Sequence, residues 1–376
     1  MIRNRRRSYA IVILFALGTF IVVATGSNRQ DMIAGSHSRA SGTGGYTYFA
    51  ETTVPVLHDL NDKNVAKEYG LEEEYSFVQF RKSEGDDASC LNLNRISNPV
   101  ILGVDPSQLV GRFTYVAGTG ELNEENPWLS LEKDLPGKLI PAVADQTVIQ
   151  WGLGLKVGDT LFYNNASGDT MLLKLIGGLA PSIFQGNVIM SEKNFLEQYP
   201  SSSGSSLFLM ETLAEPDTLA EEDLFRAFRD YGWQMTTTTD RLAEFYSVEN
   251  TYLSIFLMLG ILSIFIGTIG LGILLARSIL ERRSEIGLLQ ALGYKQQVIY
   301  RIIFSEYFIL LLAGILIGFL PAIISTLPSL LSRNTDVSVN NLLMILLFLI
   351  INSILWIGLF TRINIRKNLV AELRDE

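Results

Sequence analysis

Residues 276–294 read ARSILERRSEIGLLQALGY, and the reading of this stretch decides the fold. Arg277, Glu281, Arg282, Arg283 and Glu285 make it charged at its start. Ile286, Leu288, Leu289 and Leu292 then recur at three- to four-residue spacing, which predicts a short helix with one apolar stripe. Gly293 stands where a left-handed cap closes such a helix. The helix is too short to cross a bilayer and too apolar to rest in water. It lies on a membrane surface or inserts into a partner's groove, and the residues alone leave both readings open.

The flanks of this stretch set its context. Four windows carry no charge: Ser8 to Asn28, Asn250 to Ala276, Tyr307 to Ser332 and Val337 to Thr361. They run 21, 27, 26 and 25 residues, against about 20 apolar residues for a helix that spans a bilayer. Backbone groups in lipid pair internally, so each window reads as a transmembrane helix. A cleaved signal peptide is the rival for residues 1–26, but the run is long for one and no clear Ala-x-Ala site follows it.

Charge divides by region. Between Gly26 and Asn250 stand 32 acids and 16 bases, and the remainder holds 7 acids and 14 bases. The acidic surplus therefore belongs to the large intervening segment, which argues against nucleic acid as a partner. Arg3, Arg5, Arg6 and Arg7 precede the first helix, and Arg362, Arg366, Lys367 and Arg374 follow the fourth. Arg277, Arg282, Arg283, Lys295 and Arg301 lie between the second and third, whereas only Arg333 lies between the third and fourth. Positive flanks stay cytoplasmic, so both termini and residues 277–294 are expected inside, with residues 27–249 outside.

The fold class that follows is a membrane protein with four transmembrane α-helices and a large α+β extracytoplasmic domain inserted between helices 1 and 2. The expected domains are residues 1–26, an anchor; residues 27–249, the outer domain with a stalk; and residues 250–376, three membrane helices with the loop 277–294.

Within the outer domain, residues 27–44 are polar and glycine-rich and read as a linker. Strands are predicted over Tyr46–Val54, Tyr75–Phe80, Thr160–Tyr163, Met171–Leu179, Val188–Met190 and Leu207–Met210. Helices are predicted over Asp59–Tyr69, Ala142–Trp151, Glu192–Gln198 with Ser191 as cap, and Ala220–Tyr231. Gly158-Asp159 reads as a turn, Asp145 as a cap or surface group, Glu72–Glu74 as a solvated surface and residues 201–206 as a flexible break. From about Arg241 no Pro or Gly interrupts the chain until Gly260, and one helix is expected to run from there into the second span, as a rod of about 50 Å or more.

Chemistry-bearing motifs are missing. There is no Gly-x4-Gly-Lys-Ser/Thr phosphate loop, no His-Glu-x-x-His and no Gly-x-Ser-x-Gly elbow. Cys90 is the single cysteine and cannot pair internally, and the two histidines, His37 and His58, do not make a zinc set. The expectation is no catalytic residue, no cofactor and no metal. Glu306 is the one charge near the start of the third span; it reads either as a functional intramembrane acid or as a partner of Arg301, Arg282 or Arg283 near the cytoplasmic face.

Residues 282–293, RRSEIGLLQALG, resemble the cytoplasmic signature of the MacB/FtsX-like permeases of ABC transporters. Glu306, with the glycine-bearing run Leu311–Gly318, resembles the start of that family's third helix, and the helix order matches. Pro141–Met190 is more loosely similar to the small module of the family's outer domain, and residues 27–140 match no subtype. The resemblance implies a permease subunit of the bacterial cytoplasmic (inner) membrane, itself not an enzyme. It implies a separate cytoplasmic ABC ATPase bound at Arg282, Arg283, Glu285, Ile286, Gly287, Leu288, Leu289, Ala291, Leu292 and Gly293. It further implies a second permease copy or half, and motion carried to the outer domain for export, extraction or mechanotransmission. The chain is also readable as the second repeat of a larger permease. The alternative is a membrane-anchored receptor or sensor with a ligand-binding outer domain.

Overall fold

The computed structural model describes residues 5–28, 35, 37–71, 75–85, 98–165, 168–212 and 218–331, and then 344, 347, 350–352, 354–359, 361 and 362. Cys90 and the acid triplet Glu72–Glu74 lie outside the described residues. The chain divides into two compact units, residues 32–248 and residues 1–31 with 249–376.

The first unit is built on one mixed sheet. Its strands in chain order are β1 (Tyr48–Val56), β2 (Tyr75–Lys82), β3 (Val100–Val104), β4 (Tyr115–Gly118), β5 (Leu139–Asp145), β6 (Thr160–Asn164), β7 (Thr170–Leu179), β8 (Asn187–Ser191), β9 (Ser205–Thr212) and β10 (Gln234–Thr237). They lie in the order β10-β1-β9-β2-β3-β8-β5-β7-β4, with β6 also paired to β7. β3 with β8 and β5 with β7 are parallel, and the other pairs are antiparallel. The β1–β9 register slips between Glu51 and Val56. Pro55 sits inside that slip and has no N–H to give to a ladder, which is the physical reason for the break.

The expected strands are all present. The helix predicted over Ala142–Trp151 is a correction: β5 occupies Leu139–Asp145, and only one helical turn, Val148–Gly152, follows. Ala142 and Ala144 face one apolar cluster and Val143 the other, so both faces of this strand are covered. Alanine's high helix propensity gives way there to burial in the centre of a sheet. Ser205 and Ser206 of the predicted flexible break belong to β9, and Ser205 is buried.

Helix α1 (Arg5–Asn28) belongs to the other unit; three short helices accompany the sheet, α2 (Lys63–Glu68), α3 (Glu192–Gln198) and α4 (Thr218–Ala227). The Asp62 side chain caps α2 at the Asn64 N–H, and the Ser191 hydroxyl accepts the Asn194 N–H at 3.3 Å to cap α3 as expected. Trp128, on a helical turn over Pro127–Glu132, is buried; its indole N–H donates to the Arg112 carbonyl at 2.8 Å, and its rings meet Phe113 and Tyr115 edge-on.

Helix α5 spans Thr238–Glu281 without interruption, beginning three residues ahead of Arg241. Its first turns belong to the sheet unit. Leu242, Phe245 and Tyr246 enter the apolar core there, and the Tyr246 hydroxyl accepts from Gln185 Nε2 at 3.0 Å.

The second unit contains α1 (Arg5–Asn28), the remainder of α5, α6 (Arg283–Ala291) and α7 (Gln296–Leu331). Among the described residues, Asn250–Glu281 and Gln296–Leu327 are long and apolar enough to cross a membrane; Val12–Gly26 and Ile350–Leu359 are shorter apolar stretches. Much of the predicted fourth span lies outside the described residues. Glycines set the helix spacing. A Cβ on Gly314 would come within 2.8 Å of Phe15 Cβ and 3.0 Å of the Val12 carbonyl oxygen, and one on Gly318 would collide with the Ala16 backbone. On the other side of α1, a Cβ on Gly260 would lie 2.7 Å from Val22. Small residues let helix backbones approach where no water-driven attraction operates.

Candidate functional site: the loop helix between α5 and α7

Helix α6 holds the predicted site. Arg282 stands at its N-cap with φ −100° and ψ 16°, outside helical geometry, and this residue separates α6 from the end of α5. At the other end the Gly293 N–H donates to the Gln290 carbonyl at 2.9 Å and the Tyr294 N–H to the Leu289 carbonyl at 3.1 Å. Gly293 has φ +88°, the left-handed conformation that closes the helix and that a glycine adopts without strain.

The predicted residues divide into three groups. Ile286 and Leu289 are half-buried and pack against a cluster that includes Ile279, Ile299, Ile303 and Tyr307. Leu288 is 65% exposed and Leu292 68% exposed, although both are large and apolar. Glu285 and Ala291 are exposed as well. Gly287 is half-buried, and a Cβ there would meet nothing within 4 Å. Arg283 opens the helix, and its side chain lies outside the description.

Charge ties the helix to its neighbour. Arg282 Nε donates to Glu285 Oε2 at 2.9 Å, and Arg282 Nη1 donates to Glu306 Oε2 at 2.9 Å. Arg282, one of the three arginines considered for Glu306, is placed against it. The hydrogen bond that Arg282 donates to Glu285, then the one it donates to Glu306, holds its guanidinium pKa above the ordinary value against the opposing effect of burial. Both carboxylates share one cation, one from α6 and one from α7. Between the two helices lies a cleft of about 50 Å³, walled by Ile279, Ile286, Leu289, Ile299 and Ile303, with Arg282 and Glu285 also lining it. Such a cleft is too small for a drug-sized ligand, for which pockets run to about 300 Å³ and more.

Ser278, Ile279 and Tyr307 line this cleft and were not among the predicted residues. Ile279 sits seven residues before Ile286, a helical repeat that the sequence carries but that the break at Arg282 conceals.

Asp145 is a second correction. It is fully buried rather than a cap or surface group. It accepts the Ser182 N–H at 3.0 Å and the Ser182 hydroxyl at 2.7 Å. Burial pushes its carboxyl up to about 7, and the two hydrogen bonds from Ser182 oppose that shift. Asp159 is a turn residue as read: its carboxylate accepts the Lys156 N–H at 2.8 Å. Among the described residues no group of three or more His, Cys, Asp or Glu could hold a metal.

With this geometry in view, comparison with known proteins identifies the region. Residues 257–368 match the FtsX-like permease C-terminal family. Over this segment the chain is similar to the FtsX-like permeases, and with its two long apolar helices it reads as a membrane protein. Among solved structures, the periplasmic region of MacB from Actinobacillus actinomycetemcomitans is similar at 15% identity and a TM-score of 0.32, over 59% of this chain and 99% of that one. No curated protein matches the chain.

Proposed function

We propose that this chain is the permease subunit of an ABC transporter and that α6 is the contact for a separate cytoplasmic ATPase. The observation that carries the reading is the two-sided character of α6. Ile286 and Leu289 are engaged with α7, while Leu288 and Leu292 stay exposed on a helix that begins with charge and closes at a glycine. A short helix with an unfilled apolar face suits insertion into a partner's groove. The family match over residues 257–368 supports an ABC permease as the class.

In this reading ATP is hydrolysed in the partner and not in this chain. The stroke enters at α6, passes to α5 and α7, and is carried outward along Arg241–Glu249 to residues 27–249, for export, extraction or mechanotransmission. Both termini and residues 277–294 are cytoplasmic, in a bacterial inner membrane, and a second permease copy or half completes the transporter. Ile286 and Leu289 hold α6 in place, and Leu288 and Leu292 make the contact.

The test is co-purification of a Walker-type ATPase with the full chain from native membranes. Leu288→Arg and Leu292→Arg each place an unpaired charge in an apolar contact, at a cost of several kcal/mol. ATPase recovery is expected to fall at least tenfold with either variant while chain abundance holds. Unchanged recovery with both contradicts the docking reading.

A further inference from the structure

The sheet unit has an open end whose features do not follow from the permease reading. Strand β6 (Thr160–Asn164) pairs only with β7 among the described residues, and it lies off the main strand order. Its sequence, TLFYN, contains no charge and no proline. Those are the residues that natural proteins place on sheet edges to keep other strands away. In its centre Phe162 is 72% exposed, while its neighbours Leu161 and Tyr163 turn inward onto an apolar cluster.

Phe162 is the last member of a row. In register, Leu139 of β5 lies opposite Leu172 of β7, and Leu172 lies opposite Phe162. Leu139 and Leu172 are half-buried on the same outer face. Leu139 and Leu172 each have a neighbour further along the row, and among the described residues Phe162 has none. A strand added beside β6 would supply it, and aromatic–aliphatic cross-strand pairs are the unit that stabilises such an addition.

We propose that the free edge of β6 takes an extended segment of a partner by strand addition, and that this segment is apolar at its centre and basic at its ends. The apolar centre is set by Phe162. The basic ends are set by charge. Asp159 immediately precedes the strand, and Asp169 stands across the turn beside its last residue; both are exposed. Two lysines are near: Lys174, whose Nζ donates to the Gly158 carbonyl, and Lys156, whose own N–H is bonded to Asp159. Beyond them the region between Gly26 and Asn250 holds 32 acids against 16 bases. Its field draws a cationic segment and repels a second copy of the same domain. The other outer strands are β10, with Gln, Met and two Thr, and β4, whose one aromatic, Tyr115, is half-buried; neither presents a large exposed aromatic, so the docking feature is particular to β6.

The test uses the full chain in a neutral detergent and a fluorescein-labelled synthetic peptide, Lys-Val-Thr-Val-Thr-Val-Lys, read by fluorescence anisotropy. Saturable binding is expected, at least tenfold tighter than that of the same peptide with Glu in place of both Lys. Phe162→Asp, a change at an exposed position that leaves the core intact, is expected to weaken it at least tenfold. The double variant Asp159→Lys with Asp169→Lys is expected to reverse the preference towards the Glu peptide. Hydrogen exchange should show residues 160–164 protected by the peptide. No saturable binding, equal binding by Phe162→Asp, or an unaltered peptide preference in the double variant overturns the proposal. Self-association of the chain abolished by Phe162→Asp, without peptide binding, assigns the edge to a second copy and overturns it as well. None of these readouts involves an ATPase, so their failure and that of the docking of α6 are separate results.

Discussion

The two units treat large apolar side chains in opposite ways. In residues 32–248, Trp128, Phe80, Phe184 and Phe208 are almost wholly buried, and aromatic rings contact one another across the sheet faces. In the helical unit, Ile255, Phe256, Met258, Leu262 and Ile266 of α5 are each about half exposed or more. The first pattern is what water imposes, since apolar area leaving it is worth roughly 25 cal/mol per Å². The second is what lipid permits, since a side chain gains little by turning from hydrocarbon to protein. The lesson concerns α6. Leu288 and Leu292 are as exposed as the α5 residues but sit beyond the apolar span, which ends at Glu281, on a helix that begins with charge. Their exposure asks for a contact of their own.

Substitutions can break or sharpen this contrast, beginning with the largest effect. Trp128→Ala empties a packed site and leaves the Arg112 carbonyl without its donor, so it should destabilise the sheet unit by about 3–5 kcal/mol. Thermal unfolding of the purified chain measures it. A loss below about 1 kcal/mol would deny the water-built core.

Asp145 tests the same core through pH. Its carboxyl is raised from 3.8 to about 7 in the fold by burial. Between those values the folded state binds more protons than the unfolded one, so stability falls as pH rises through that window. The fall amounts to as much as about 4 kcal/mol, at 1.36 kcal/mol per pKa unit. Unfolding temperatures recorded from pH 4 to pH 8 should decline for the wild type and stay nearly level for Asp145→Asn. A wild-type curve that rises over the same range would contradict the buried carboxyl.

Gly318→Leu probes the opposite regime. It forces a side chain into the Ala16 backbone and should cost about 1–3 kcal/mol by overpacking, read as loss of helix-unit stability in detergent. Smaller still is the link between Arg282 and Glu306. A double-mutant cycle with Arg282→Gln and Glu306→Gln should give a coupling energy of about 1 kcal/mol, as expected for a half-exposed pair. A coupling of zero would leave the apolar contacts of Ile286 and Leu289 to hold α6 against α7. Smallest is Phe256→Ala, at 54% exposure, which should change stability by less than about 0.5 kcal/mol.

Much of this contrast is legible before any coordinates. The charge-free windows, the arginine flanks and the spacing of Ile286, Leu288, Leu289 and Leu292 mark the helical unit, because lipid enforces long apolar runs and helical period. Alternation and strand-forming residues mark β2, although Phe77 and the pair Val78 and Phe80 enter different apolar clusters, and they mark β6, whose Phe162 faces water. Alternation fails at β5, where both faces are dry and the alanines carry no face preference, so the segment imitates a helix. It fails again at Asp145, since nothing local announces that Ser182, 37 positions away, will supply two hydrogen bonds. At α6 the sequence identifies the helix and its stripe but not the division of that stripe. Only the packing against Ile299 and Ile303 of α7 separates the inward pair Ile286 and Leu289 from the outward pair Leu288 and Leu292.

The side of the membrane on which α6 lies is the most direct test of the account. In a Cys90→Ser background, Leu288→Cys provides one exposed thiol on α6, to be probed with a membrane-impermeant maleimide in intact and in permeabilised cells. The account predicts labelling only after permeabilisation. Labelling in intact cells would place α6 outside and remove the ATPase contact altogether.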